Sequence, residues 1–271
     1  MKYLLAASLI VVSLCVCGQS DTVYTGSEKL VVKVVEITEE SVKYTYPNET
    51  LINTVNKNTV RRIVFSSGRT QEFGGYSNYK EVSGWRDWES VSLAVAEHEI
   101  KGLFRLEEVT SKAKGATTMS NINRVKDRAY KKLKIEAAML GGNVIYISNE
   151  KVEGNRNYGY SSTSAETQLS GLAYSDNIPI YDEVSALIKK YPRWQHTITV
   201  TQGNNSPDAD ESGGSGIVLL SEVIKEGSFL YVDATISGKT HRCRVVRTSP
   251  ASITLMHRDK KKLYNYVLSG M

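Results

Sequence analysis

Residues 121–147 read NINRVKDRAYKKLKIEAAMLGGNVIYI, a helix, a stop and a strand in one run. Ile122, Val125, Ala129, Leu133, Ala137 and Leu140 recur at spacings of 3 or 4 and so share one helical face, while Lys126, Arg128, Lys131, Lys132 and Lys134 fill the others. Ser120 or Asn121 can cap the start, because a short side-chain oxygen accepts a first-turn N–H that has no helical partner. Gly141-Gly142 supplies the left-handed stop, and Asn143-Val144-Ile145-Tyr146-Ile147 is apolar enough for a buried strand.

Working outward, Val91–Val95 and Gly102–Val109 precede the helix as strands, and Glu166–Tyr174 follows as another. Val152–Ser164, rich in Asn, Gly, Ser and Tyr, reads as a mobile hairpin connection, and Asp182–Lys190 as a short helix stopped before Pro192. Residues 79–201 are therefore expected to form a β-β-α-β-β type α/β domain with a trailing helix. On its N-terminal side, residues 19–78 carry short alternating runs, Leu30–Val35, Ser41–Tyr46 and Asn58–Phe65, broken at Pro47-Asn48-Glu49 and Ser67-Gly68, with Thr70–Phe73 closing a hairpin. Residues 202–215, QGNNSPDADESGGS, read as a flexible linker. Residues 216–271 alternate again at 217–220, 229–236, 240–246, 252–256 and 263–268, a second small β module. The expected class is α+β: β, then α/β, then β. A shift of 211 positions lays Val34-Val35 on Val245-Val246, Thr38 on Ser249, Ser41 on Ser252 and Val42 on Ile253, a match that either a duplicated module or the chance likeness of alternating strands would give.

The 271 residues hold 34 Lys+Arg against 29 Asp+Glu and 41% hydrophobic residues, which excludes collagen-like, disordered and disulfide-stapled classes. The N-terminus opens with Lys2 and runs apolar from Leu4 through Val16 to Val16-Cys17-Gly18. That run falls short of the roughly 20 residues a spanning helix needs, and it reads as a secretory signal cut between Gly18 and Gln19. The rival is a lipoprotein signal with Cys17 lipidated, although Val16 stands where a small residue is wanted. The mature chain is thus expected to be exported, periplasmic or secreted, with no transmembrane span; an outer-membrane lipoprotein, tethered through Cys17, is the alternative. Cys243, plus at most Cys17, leaves no disulfide framework. Cys243 alternates on a strand between Arg242 and Arg244 and reads as a small buried residue.

Motifs for chemistry fail on inspection. Ser237-Gly238-Lys239-Thr240 imitates a phosphate loop, but Asp233 stands where the first Gly belongs and a strand follows, so it reads as a turn. His98 lies between Glu97 and Glu99, and strand alternation would point it away from both. Asp208–Gly213 imitates half a calcium loop, whose twelfth position would be Leu219 rather than Glu. No catalytic residue, metal ligand set or cofactor site is expected. From Gly216 onward nine Lys+Arg face four Asp+Glu, +5 in 56 residues. Arg242, Arg244, Arg258, Lys260, Lys261 and Lys262 are the candidate surface for an anionic partner, an envelope protein or anionic envelope component. A solvated basic face is the plainer reading, and export argues against nucleic acid.

The pattern Ala129-x-x-x-Leu133-x-x-Glu136-Ala137-Ala138-x-x-Gly141-Gly142-Asn143-x-Ile145, closed by Leu169–Tyr174, resembles a known small α/β domain. That domain is shared by the stress-sensor lipoprotein of the Rcs phosphorelay and the YbjQ heavy-metal-binding family, and the likeness covers roughly residues 88–176. It implies a fold and an envelope compartment; with no Cys and only His98 in the region, it carries over neither the sensor's disulfides nor a metal site. The first module, from Asp21-Thr22-Val23-Tyr24 to Arg62-Ile63-Val64-Phe65, resembles a recurrent β module of exported Gram-negative proteins, and the last is similar to SH3- or Tudor-like small barrels. The function these readings favour is an exported, non-catalytic binding or scaffold component of the cell envelope. A stress-sensor lipoprotein signalling through a protein partner is the alternative, and a periplasmic hydrolase ranks third.

Overall fold

The computed structural model describes residues 20–26, 28–73, 79–158, 161–203 and 206–271, so Cys17, Gly18 and Gln19 lie outside the described residues. Strict alternation builds the first sheet from β1 (Asp21–Thr25), β2 (Lys29–Ile37), β3 (Ser41–Thr45), β4 (Asn53–Asn56), β5 (Val60–Val64) and β6 (Thr70–Glu72). Val23, Leu30, Val32, Val42, Val60 and Ile63 fall on the buried face and make one core. The order is β4-β3-β2-β1-β5-β6, antiparallel throughout. Asp21 pins the start of β1: its carboxylate accepts from the backbone N–H of Val34 and of Ser66, each at 2.8 Å.

The middle layer has β7 (Ser92–Ala94), β8 (Phe104–Lys114), α1 (Ile122–Met139), β9 (Val144–Glu153), a two-stranded hairpin of β10 (Arg156–Tyr158) and β11 (Ser161–Thr163), and β12 (Glu166–Ser175). The sheet order is β7-β9-β12-β8, with β7 parallel to β9. Asn121 caps α1 by accepting from the N–H groups of Asn123 and Arg124. Glu97–Ile100, expected to be strand, form a turn of 3-10 helix instead, held by the Glu99 carboxylate on the N–H groups of Val95 and Ala96.

The last part comprises α2 (Tyr181–Lys190), β13 (Trp194–Gly203), β14 (Asp210–Gly213), β15 (Ile217–Val218), β16 (Ile224–Glu226), β17 (Phe229–Ile236), β18 (Lys239–Ser249), β19 (Ser252–Asp259) and β20 (Lys262–Gly270). Their order is β14-β13-β20-β19-β18-β17-β16, with β15 also on β13. A self-contained small barrel beginning at residue 216 is not what forms. The sheet is open, and it begins at Trp194, because β13 pairs along the length of β20. The segment expected as a linker contributes β14, which pairs with β13 from Asp210 to Gly213.

Lys132 and its neighbours were expected to occupy solvent faces of α1, yet Ile135, Ala138 and Met139 are fully buried and Lys132 is 7% exposed. At about 100° per residue, Ile135 and Met139 both lie more than roughly 100° round the helix from Leu133 and so fall outside its face. The reason is a second sheet: one buried cluster runs from Val109, Ile145, Leu169 and Ala173 of the α/β layer through α1 to Val200, Val246, Met256 and Leu263 of the last sheet. The opposite face of the last sheet packs Trp194, Val232, Cys243, Leu255 and Leu268 with Val184 of α2 in a separate cluster.

The 211-residue shift has a structural counterpart. β2 pairs with β3 as Lys33↔Thr45, Val34↔Tyr44, Glu36↔Lys43 and Ile37↔Val42, with an irregularity between Val34 and Glu36. β18 pairs with β19 as Arg244↔Met256, Val245↔Leu255, Arg247↔Thr254 and Thr248↔Ile253, with the irregularity between Val245 and Arg247. Every one of these pairs, and the bulge, is displaced by the same 211 positions. Each turn is bridged by paired hydroxyls, Thr38 with Ser41 and Ser249 with Ser252.

Candidate functional site

An α-helix leaves its last four carbonyls without helical partners, and the last sheet supplies partners for those of α1. Asn265 Nδ2 donates to Met139 O at 3.0 Å, Arg244 to Leu140 O at 2.8 Å and Arg247 to Ala138 O at 2.9 Å. Further up the helix, Gln202 Nε2 donates to Lys132 O at 3.0 Å. Gly141, at φ 83°, takes the left-handed turn that the sequence predicted, and the Gly142 N–H closes on Ala137 O. Two guanidinium groups at the negative end of a helix also suit its dipole. Burial lowers the Arg247 pKa to about 10, against the pull of Asp87 and Glu81, while its Nε donates to Val82 O.

This arrangement redistributes the basic surface expected from sequence. Arg244 is buried and ion-paired with Glu107 at 3.0 Å. Arg258 bridges Glu107 and Glu136, and Arg242 pairs with Glu226. Lys260, Lys261 and Lys262 remain exposed at the β19–β20 turn. Six residues that read as one cationic patch thus divide between an internal network, a surface pair and a hairpin tip.

Burial pushes the Glu136 carboxyl above the usual range, while Arg258, the Thr110 N–H and Lys132 pull it back. A carboxyl raised in the folded state stabilises the fold when protonated and loses that contribution as pH rises through its folded pKa. Arg258→Met removes the largest opposing influence and raises the pKa further. The variant is expected to lose about 1–2 kcal/mol at about pH 7.5, less than a fully buried pair would because Arg258 is one-third exposed, and to lose less at about pH 5, since a protonated carboxyl needs no counter-charge. Urea unfolding at both pH values checks this; an equal loss at both would show that Glu136 is not the responding group.

Beside the capped helix end lies a cleft of about 670 Å³ where the first sheet, the α/β layer and the last sheet meet. Arg61 enters from β5, Asn143 and Asp176 from the ends of β9 and β12, Glu183 from α2, and Thr248 and Ser252 from the β18–β19 hairpin. Asn143 is 4% exposed and holds the junction: its Nδ2 donates to Asp176 Oδ1 at 2.8 Å, its N–H to Tyr174 O, and its carbonyl accepts from Ser92. Close by, the Ile178 N–H donates to Gly26 O, and a Cβ on Gly26 would stand 2.5 Å from Asp176 O, so only glycine permits this approach of the first sheet.

Sequence reading did not select these cleft residues, since they are scattered from position 61 to 252 and share no motif. The one legible part was Gly141-Gly142-Asn143, read as a helix stop. Of the other features, Cys243 is fully buried, with its thiol pushed up to about 12 by burial. Ser237 and Gly238, both at positive φ, make the tight β17–β18 turn. The acidic stretch is tied to the α/β layer, Asp208 to Lys131 of α1 and Glu211 to Arg86 and Trp85. Among the described residues no group of three or more His, Cys, Asp or Glu could hold a metal ion, and no helix is long and apolar enough to cross a membrane. No family model matches the chain, and neither a curated protein nor a solved structure matches it.

Proposed function

We propose that the chain is an exported, non-catalytic binding or scaffold protein of the cell envelope that takes its ligand or partner in the cleft where its three parts meet. The lining supports this reading: hydroxyls, amides, carboxylates and Arg61 around apolar Val60, Val82 and Ile178 offer hydrogen bonds and shape. The export half of the proposal rests on the N-terminal apolar run. The first β region is read as a small β module and the last as an SH3-like one whose sheet stays open; the bulged hairpin that β2–β3 and β18–β19 share supports a relation between them.

The cleft is tested in the native envelope with a photo-crosslinking residue at Arg61 or Thr248 and a control at exposed Glu49. A discrete adduct from the two cleft positions alone is expected. Equal labelling from Glu49, or turnover by the purified protein that depends on one residue set, would overturn the proposal.

The stress-sensor lipoprotein is kept as a second reading because Gly141 and Asn143, within the pattern resembling that family, border the cleft. Intact mass and membrane fractionation separate the two. A chain beginning at Gln19 in the soluble fraction favours a diffusible binding protein, and one beginning at Cys17 with acyl chains favours the sensor.

A further inference from the structure

Three of the four histidines gather on the last sheet, on the face turned away from α1, around Tyr264 and Tyr266. His196 is a settled core residue: it is 4% exposed, and its Nε2 lies 2.8 Å from Thr199 Oγ1. The other two differ. His241 on β18 and His257 on β19 are only partly buried, and their ring centroids are 4.5 Å apart with planes tilted by 51°. Among the described residues, neither ring has a hydrogen-bonding partner.

An imidazole pair this close is costly once both rings are protonated and useful while both are neutral, because a neutral ring offers a lone pair to a metal ion. Cys243, two residues along the same strand, is fully buried and donates its S–H to His241 O.

Two imidazoles on one ion, each at a metal–nitrogen distance of about 2.0–2.1 Å, bring their rings within roughly 5 Å of one another, and the 4.5 Å between these two falls in that range. We propose that His241 and His257 form a two-imidazole site for a divalent ion, Cu²⁺ above all, because it is the first-row divalent metal that such a site holds most tightly. Its remaining positions are filled by water, which makes the site open and exchangeable rather than structural. Sequence reading missed it because the two residues sit on different strands with a turn between them. The site is also distinct from the α/β region that carries the family resemblance.

The test is a Cu²⁺ titration of the full mature chain, followed by calorimetry and electron paramagnetic resonance. One equivalent with nitrogen hyperfine structure is expected. Affinity should fall at least tenfold in His241→Gln and in His257→Gln, and stay unchanged in His98→Gln. Thermal melts without metal establish that each variant is folded; should His241→Gln melt early, His257→Gln decides. Wild-type affinity in a folded His257→Gln, as an N-terminal amine chelate would give, overturns the proposal.

Discussion

Leu133→Ala is expected to destabilise the chain by about 3–5 kcal/mol, the range for a leucine cut from a site that cannot collapse around the void. Leu133 is fully buried at the centre of α1, in the cluster that reaches from the α/β sheet to the last sheet. Neither sheet can move in to fill the space without pulling the helix from the other. At roughly 2–4 °C per kcal/mol for a chain of this size, the melting temperature should drop by about 10 °C. Because α1 is core to both sheets, far-UV circular dichroism and tryptophan fluorescence should report one coincident transition, displaced as a whole. A transition that splits, with only one part displaced, would show that the last sheet folds without the helix. A loss below about 1 kcal/mol would sink the argument altogether.

Arg244→Met should follow closely, at about 2–4 kcal/mol. The guanidinium is buried, donates to Leu140 O and pairs with Glu107. Methionine fills much of the volume but leaves the helix's terminal carbonyl without its partner. Glu107 is one-third exposed and can recover water, so most of the cost falls on that carbonyl. Arg244→Lys keeps the charge but lacks the planar fork that serves both acceptors, so it should lose about half as much. Denaturant unfolding of both variants decides the matter. A neutral or stabilising Arg244→Met would mean that the ion pair is of the kind a hydrophobic residue replaces without loss, and that capping from the sheet contributes little.

Periodicity and turn chemistry carried most of the local structure. The spacing from Ile122 to Leu140 and the Gly141-Gly142 stop define α1, and alternation alone placed β17 at Phe229–Ile236. The 211-residue shift lined up two hairpins that share a register and a bulge, both local properties of two strands and a short turn, but the bulge itself was not legible in the sequence. Buried Cys243 followed from its place in an alternating run. The alternation of Trp194, His196, Ile198 and Val200 is that of β13, which the sequence reading did not assign because its partner, β20, is distant in the chain.

What the sequence could not decide is what lies against each surface. Charged residues read as solvated until a partner is known, so Arg244 and Arg258 counted toward a surface patch, although they meet Glu107, Glu136 and the end of α1 from more than 100 residues away. The same holds for Ile135 and Met139, whose second helical face means nothing until a second sheet covers it. Long-range juxtaposition also made the cleft at Asn143 and the His241–His257 pair. Local composition fixes which backbone conformation a segment prefers. Only closure of the whole chain, burying one face of a sheet against a helix that already has its own, determines which polar groups end the helix and which remain free to meet a ligand.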